Sequence, residues 1–230
     1  MPELSILMPV YNERATVEEA IERALAAELP VESRQLVVVD DGSTDGTREL
    51  LRGRDWPAEV DIHFRDSNGG KGAAVRTAID NATGRWAAIL DADLEYDASD
   101  IGRLLEPLQS GEAEVVFGVR GFDSRSAFSF WYVVGNKTVT MVANVIFNSW
   151  LADIMTCHKA MATDVWRSLD LKARGFELEG EITARVLASG RRVYEVPITY
   201  RARGREEGKK LTAVDALRVM STLLKHRLGR

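Results

Sequence analysis

Several features that often define a class of protein are scarce in this sequence. Its single cysteine, Cys157, has no partner for an internal disulfide, which favours a reducing, cytoplasmic compartment. No apolar run is long enough to span a membrane, because the longest stretch, 133–150, is interrupted by asparagines and a lysine. The first predicted strand begins close to Met1, which leaves no room for a signal peptide. The net charge of −5 gives no reason to expect a nucleic acid as a partner.

Strands and helices alternate through the first half of the sequence. Strands are predicted at 4–10, 35–40, 60–65, 86–90 and 114–118, and helices at 15–28, 44–52, 72–81 and 99–109. This alternation is typical of an α/β fold, in which helices flank a mostly parallel, right-handedly wound sheet. With 230 residues, we expect one domain, composed of a nucleotide-binding half at 1–120 and an acceptor-binding half at 121–230.

The second half departs from this alternation. An aromatic-rich apolar stretch, 127–150, is followed by a predicted helix at 179–189 and a predicted strand at 192–200. A basic loop then precedes an amphipathic helix at 212–228, which has leucines on one stripe and basic residues beside it. Such a helix fits an anionic membrane surface, but it also fits packing against the core or against a second subunit.

The most informative motif is the acidic turn that follows the fourth predicted strand. Asp91, Asp93 and Glu95 come directly after the apolar residues 86–90. Ligands collect at the carboxyl ends of the strands in an open α/β sheet, and carboxylates at that edge suit Mg²⁺ or Mn²⁺. The alternative interpretation is a solvated acidic turn that caps the next helix.

Polar residues also follow the other strands. Tyr11 is placed to stack on a nucleotide base, and Asp41 to accept hydrogen bonds from a base or a ribose. The alternative at the second strand is capping of the next helix by Ser43 or Thr44. The glycine-rich segment 68–72 brings Lys71 to a helix start, where N–H groups and an ammonium favour a ligand, although a plain flexible turn also fits.

Taken together, the segments 9–13, 39–47, 68–72 and 91–95 resemble family 2 glycosyltransferases in their order and spacing, and the resemblance extends over essentially the whole chain. Further segments resemble the branch that contains dolichyl-phosphate mannose synthase and the polyprenyl-phosphate glucosyltransferases, namely 117–120, 135–137, 153–159, 179–183 and 194–198. The chain departs from that branch at Cys157 and His158, where relatives commonly have glycine and an aromatic residue.

The resemblance implies a GT-A-type, Rossmann-like fold and a role for individual residues. It makes Asp91 and Asp93 the ligands of Mg²⁺ or Mn²⁺, with Glu95 as a further ligand. It assigns the nucleotide base and ribose to Pro9, Tyr11, Glu13 and Asp41. It assigns the phosphate groups to Arg120 and Arg125.

The predicted reaction is the inverting transfer of a hexose from a GDP- or UDP-sugar to a polyprenyl phosphate at the cytoplasmic face of a membrane. A phosphate monoester is already anionic near neutral pH, since its second pKa is about 6, so it needs a basic cradle rather than a general base. The loop before the last predicted helix supplies basic residues for this cradle: Arg201, Arg203, Arg205, Lys209 and Lys210. We therefore predict these catalytic residues: Asp93, Arg120, Arg201 and Lys209.

Several alternatives remain open at this level. The basic loop also fits a solvated charged segment. The acceptor also fits a soluble molecule or a saccharide. A sugar nucleotidyltransferase would typically have a glycine-rich loop with a basic residue after the first strand, where this sequence has Tyr11-Asn12-Glu13-Arg14. A silent nucleotide-sugar-binding subunit is disfavoured because the acidic turn is intact.

Overall fold

The structure, a computed structural model, describes residues 1–121, 130–201 and 213–229. Its strands are β1 (Leu4–Val10), β2 (Arg34–Asp40), β3 (Val60–Phe64), β4 (Trp86–Ile89), β5 (Val115–Arg120), β6 (Lys159–Ala162) and β7 (Val193–Ile198). Its helices are α1 (Val17–Ala26), α2 (Thr47–Arg52), α3 (Lys71–Asn81), α4 (Ile101–Gln109), α5 (Phe130–Phe147), α6 (Thr163–Ser168), α7 (Leu178–Ala188) and α8 (Ala213–Leu228). A 3₁₀ turn, Ala98–Asp100, leads directly into α4.

The strands form one seven-stranded sheet in the order β3-β2-β1-β4-β6-β5-β7. Neighbouring strands are parallel except at β6, which is antiparallel to both β4 and β5. The parallel strands therefore all end at the same edge of the sheet, and β6 begins at that edge. This geometry brings the acidic turn after β4 next to the segment that precedes β6, although the two are far apart in sequence.

The structure confirms the predicted α/β class and the mostly parallel sheet, with strand bounds that agree within two residues. The sequence analysis missed β6 and α6, because the four residues of β6 show neither alternation nor flanking turn residues. Capping of α2 by Ser43 or Thr44 is wrong, since Gly46 precedes that helix. The Ser43 hydroxyl accepts a hydrogen bond from Asn12 N–H, and Thr44 N–H donates to Asn12 Oδ1.

The sheet is covered on both faces by apolar side chains. Alternate residues of β1 point in opposite directions, so that Leu4, Ile6 and Met8 join the cluster under α1 and α4, whereas Leu7 joins the cluster under α3 and α7. Burial on both faces explains why β1 and β2 are almost continuously apolar, as is typical of parallel sheets. This packing makes the sheet a rigid base for the loops at its carboxyl edge.

A third apolar cluster joins α5, α7 and α8 outside the main sheet packing. Its buried members include Val139 and Ala143 on α5, Ala184 on α7, and Val219 and Leu223 on α8. The helix predicted at 212–228 is thus confirmed as α8, but it buries Val219 and Leu223, whereas the leucines of the predicted stripe, Leu217, Leu224 and Leu228, are exposed. Within the ranges given above, no helix combines the length and apolar character needed to cross a bilayer.

Candidate active site

A cavity of about 370 Å³ opens at the carboxyl edge of the sheet. It receives residues from the ends of β1, β2, β4 and β5, from the start of α3, and from the segments that precede β6 and α7. Among its lining residues are nine that were predicted from sequence: Pro9, Tyr11, Glu13, Asp41, Lys71, Asp91, Asp93, Glu95 and Arg120. Five separate sequence segments thus converge on one space.

Asp41 connects the loop after β2 to the glycine-rich loop before α3. Its carboxylate, which is 2% exposed, accepts hydrogen bonds from Arg65 Nε at 2.7 Å and from the N–H groups of Gly69 and Gly70. The two loops pack so closely that a Cβ atom at Gly42, where φ is +75°, would lie 2.7 Å from the Asn68 nitrogen. Asp41 therefore organises the cavity wall, a contribution that the sequence analysis did not foresee.

The glycine-rich loop uses much of its own backbone internally. Besides the two N–H groups bound by Asp41, Gly72 N–H donates to the Arg174 carbonyl at 2.7 Å. These N–H groups therefore already have partners within the protein. The sequence analysis had suggested that N–H groups of this loop would bind a ligand. The loop instead presents the side chain of Lys71 to the cavity.

Lys71 lies in a buried polar cluster with Asp91, Cys157 and Glu179. Its ammonium is 2.8 Å from Asp91 Oδ2, 2.6 Å from Cys157 Sγ and 3.8 Å from Glu179 Oε1. Burial alone would lower the pKa of Lys71, but the charge of Asp91, with that of Glu179, raises it well above its usual value. Burial likewise opposes ionisation of Asp91, but the Lys71 ammonium lowers the pKa of that carboxyl. Both groups are charged at neutral pH.

The rest of the acidic turn is held by a hydrogen bond within the turn and by the segment that follows β7. Asp93 Oδ1 accepts a hydrogen bond from Glu95 N–H at 3.1 Å, and Glu95 Oε2 accepts one from the Tyr200 hydroxyl at 2.7 Å. Arg201 N–H donates to the Glu95 carbonyl at 2.8 Å, but the Arg201 side chain is exposed and does not line the cavity. Leu94 adopts a φ of +61°, which is unusual for a leucine and marks a constrained turn.

Arg120 reaches the cavity from the end of β5 but is firmly anchored. Its side chain is 2% exposed and makes a two-point ion pair with Asp153, through Nε–Oδ2 at 2.8 Å and Nη2–Oδ1 at 3.0 Å. The guanidinium also stacks over the Tyr200 ring, 5.1 Å from its centroid. Its predicted contact with phosphate stays a prediction, as do the roles of the other site residues. Arg125 and Lys209, together with Arg203, Arg205 and Lys210, lie outside the described residues.

The carboxylates of the turn suit a divalent cation that is shared with a ligand. In the described part of the chain, no three His, Cys, Asp or Glu side chains come together as a metal site. Mg²⁺ in proteins is typically held by one or two carboxylates together with substrate phosphates, which is the arrangement that Asp91 and Asp93 on a cavity wall allow. The site therefore fits a metal that binds jointly with a diphosphate.

Comparison with known proteins decides the family. The model described as "Glycosyl transferase family 2" matches residues 5–164. The chain belongs to this family. This family 2 chain is 30% identical over 206 residues to the low-salt glycan biosynthesis hexosyltransferase Agl6 of Haloferax volcanii, a match that covers 88% of the chain and 48% of that relative. It therefore spans about half the length of Agl6.

Two further comparisons extend this result. The polyprenol monophosphomannose synthase of Mycolicibacterium smegmatis is 30% identical over 209 residues, which cover 86% of the family 2 chain and 77% of that relative. Among solved structures, glucosyl-3-phosphoglycerate synthase from Mycobacterium tuberculosis, in complex with Mn²⁺, UDP and phosphoglyceric acid, superposes with a TM-score of 0.73 at 18% identity, covering 99% of this chain and 79% of that one. The latter likeness shows that the fold is of the GT-A type.

Glu179 and Cys157 line the cavity of this family 2 chain, although neither was among the predicted site residues. Glu179, at the start of α7, is 3% exposed and pairs with the buried Lys159, whereas its Oε1 has no hydrogen-bond partner. Glu179 belongs to segment 179–183, whose resemblance to the family branch is the signal that sequence reasoning had available. Burial raises the pKa of the Cys157 thiol well above its usual value, and its sulfur contacts Lys71 at the cavity wall.

His158, next in sequence, is a buried packing residue. Its ring stacks on Tyr96 with centroids 4.8 Å apart, and its Nε2 lies 3.3 Å from the Asp97 carbonyl oxygen. Burial lowers the pKa of His158 below its ordinary value, which keeps the ring neutral at physiological pH. Its stacking supports the wall that Tyr96 forms.

Proposed function

We propose that this chain is a metal-dependent, inverting glycosyltransferase that moves a hexose from a GDP- or UDP-sugar to a polyprenyl phosphate. The observation that carries the proposal is that Asp91 and Asp93 share one cavity with the base-binding candidates Tyr11 and Asp41. The cavity thus has candidate groups for binding a nucleotide base at one end and candidate groups for binding a cation at the other. Because both halves of the chain line it, we further propose that 1–230 acts as one domain.

The donor would lie along the carboxyl edge of the sheet. Tyr11 offers an aromatic face for the base, and the neighbouring Pro9 and Glu13 complete that end of the cavity. At the other end, Asp91 and Asp93 would hold Mg²⁺ or Mn²⁺ together with the donor diphosphate. A divalent ion so held acts as a Lewis acid that stabilises the charge of the departing nucleotide diphosphate. The structural relative bound to Mn²⁺ and UDP supports this arrangement.

Arg120 adds a cation to the wall that faces the diphosphate. Because Asp153 binds the guanidinium at both Nε and Nη2, the side chain is pre-organised and loses little entropy on binding. We propose that Arg201 and Lys209, from the basic loop, add positive charge for the phosphate groups. An inverting displacement needs no covalent enzyme intermediate, and a phosphate acceptor needs no general base.

The acceptor is inferred from the relatives. The polyprenol monophosphomannose synthase covers most of this chain, and its name states a polyprenol phosphate product. The cavity lining carries more acidic than basic side chains, so the positive charge for an acceptor phosphate would come from a bound metal and from the basic loop. The long apolar tail of such an acceptor requires a membrane or an apolar surface next to the enzyme.

The test is a transfer assay with a panel of donors. The protein is incubated with GDP-mannose, UDP-glucose or other nucleotide sugars, with Mn²⁺ or Mg²⁺, and with a short polyprenyl phosphate, and products are read by mass spectrometry. We expect one donor to give a hexosyl polyprenyl phosphate, and chelation by EDTA to abolish the product. Turnover with phosphoglycerate but not with polyprenyl phosphate would replace the proposed lipid acceptor with a soluble one.

We further propose that the exposed apolar side chains of α5 and α8, together with Trp150 after α5, form a surface that faces the membrane. We name it the outer apolar face, and it consists of Phe130, Trp131, Val134, Met141, Val145, Trp150, Val214, Leu217, Leu224 and Leu228. The charged residues of these two helices are mainly basic, namely Lys137, Arg218, Lys225 and Arg227, against the acidic Asp215. A basic, apolar face on a chain with a net charge of −5 suits an anionic lipid surface.

Vesicle flotation measures this contact directly. We expect the double variant Leu217→Glu/Leu224→Glu to bind vesicles that contain phosphatidylglycerol at least about tenfold more weakly, because each leucine withdrawn from the lipid forfeits roughly 1.5–3 kcal/mol. Ala26→Glu, an exposed position on α1, which packs in a different apolar cluster from α5 and α8, is the control and should bind like the wild type. Equal binding by both variants would assign the face to another partner.

A further inference from the structure

The glycine-rich loop delivers a lysine to the place where the divalent cation is proposed to bind. Lys71 Nζ lies 2.8 Å from Asp91 Oδ2, with Glu179 Oε1 a further acidic neighbour at 3.8 Å. The side chains of Lys71 and Asp91 are only 12% and 15% exposed. The ammonium is therefore held among acidic groups inside the cavity and not at its rim.

Asp91 cannot serve two cations equally well. An ammonium and a divalent ion on one carboxylate repel each other, and this repulsion is strong where water is largely excluded. In the arrangement that the structure shows, Lys71 already balances the negative charge of Asp91, which is the charge that would attract a metal. Lys71 thus competes with a metal ion for Asp91.

A nucleotide diphosphate shifts this competition. It brings several negative charges into the same cavity, and its oxygens are good acceptors for an ammonium. Lysine has a flexible four-carbon side chain, so its head group is able to turn from a carboxylate to a nearby phosphate while the backbone stays in place. When Lys71 makes that exchange, the Asp91 carboxylate becomes available in the same event.

We propose that Lys71 is a positioning residue whose ammonium occupies the place beside Asp91 where a metal ion would bind. Metal binding then depends on the nucleotide, because the diphosphate draws the ammonium away from Asp91. The inference rests on the proposed function, because it takes Asp91 and Asp93 as the residues that hold the metal. By linkage, the nucleotide and the metal each strengthen the binding of the other by the same factor. Lys71 is the element that couples them.

Binding of Mn²⁺ to Lys71→Met tests the proposal, with the EPR signal of free Mn²⁺ as the readout. In the wild type, we expect UDP or GDP to strengthen Mn²⁺ binding at least about tenfold. In Lys71→Met, we expect Mn²⁺ alone to bind at least about tenfold more tightly than it does to the wild type, since the competing charge is gone. If Lys71 only supported the fold, Lys71→Met would instead bind Mn²⁺ more weakly than the wild type, because loss of the lysine would disturb the site.

Two control variants isolate the charge at this position. Lys172→Met removes a lysine that is 70% exposed and paired with Asp170 on the surface, and it should bind Mn²⁺ like the wild type. Lys71→Arg keeps the positive charge and should keep the dependence on nucleotide. Thermal unfolding gives a second readout, because Mn²⁺ alone should raise the Tm of Lys71→Met more than that of the wild type, even where the variant is less stable.

The outcomes separate the inference from the function on which it rests. Nucleotide-dependent Mn²⁺ binding in the wild type, without tighter binding of Mn²⁺ alone to Lys71→Met, overturns the role of Lys71 and leaves the metal site intact. Absence of Mn²⁺ binding in both proteins, with UDP and with GDP, overturns the proposed metal dependence and the inference together. Tighter binding of Mn²⁺ alone to Lys71→Met, with Lys172→Met unchanged, supports the inference.

Discussion

Asp93→Asn is expected to lower kcat at least about 10³-fold, among the largest effects of a single substitution in this chain, because it removes one of the two carboxylates proposed to hold the metal. Asparagine retains an oxygen that accepts the hydrogen bond from Glu95 N–H, so the turn should keep its shape. The loss is therefore one of charge and not of fold. Transfer kinetics at saturating donor, together with the Tm, measure both consequences.

The control for this variant lies four residues further along the chain. Asp97 is exposed, and its carboxylate caps the Ala98–Asp100 turn by accepting from Ser99 N–H. Asp97→Asn makes the same chemical change outside the cavity lining and should leave kcat within about twofold of the wild type, as surface substitutions usually do. Full-rate transfer by Asp93→Asn at low Mn²⁺ would contradict the assignment of Asp93 to the metal.

Arg120→Met is expected to cost about 3–5 kcal/mol of unfolding free energy, and thus to lower the Tm by roughly 6–20 °C, because it leaves the buried Asp153 without its counter-charge. The double variant Arg120→Met/Asp153→Asn removes that uncompensated charge. It also retains an oxygen for the hydrogen bond from Met155 N–H at 3.0 Å. We therefore expect the double variant to recover most of the lost stability in denaturant unfolding.

The same pair separates a structural role of Arg120 from a catalytic one. If Arg120 stabilises the donor diphosphate, transfer by the double variant should remain about 10²–10³-fold below the wild type despite its recovered stability. If activity returns together with stability, Arg120 acts through the fold alone and its predicted catalytic role is wrong. Asp153→Asn by itself completes the cycle and gives the coupling energy of the pair.

The predictability of the fold differs between its two halves for a physical reason. Strands β1 to β5 were predictable because β3 alternates apolar with polar residues, the other four are largely apolar runs, and turn residues follow each of them, a signal contained in neighbouring residues. β6 was not, because its four residues are stabilised by pairing with β4 on one side and β5 on the other. Its existence depends on partners that lie far away in the sequence.

The candidate site shows the same division. Asp91, Asp93 and Asp41 stand out in the sequence because acidic residues follow apolar strands, and the cavity includes all three. The Asp41 carboxylate nevertheless accepts hydrogen bonds from Arg65 and from the glycine-rich loop. The spacing of residues along the chain does not reveal these contacts. The contact between Lys71 and Cys157 joins residues 86 positions apart and was likewise not predictable.

The sequence by itself determined the α/β class and the mostly parallel sheet, because these depend on periodicity and local spacing. Only the tertiary structure decided how the charges pair, with Lys71 on Asp91, Arg120 on Asp153 and Lys159 on Glu179. Partners of this kind are selected by distance and burial, since a charge inside a protein must be compensated by whatever charge the fold brings within reach.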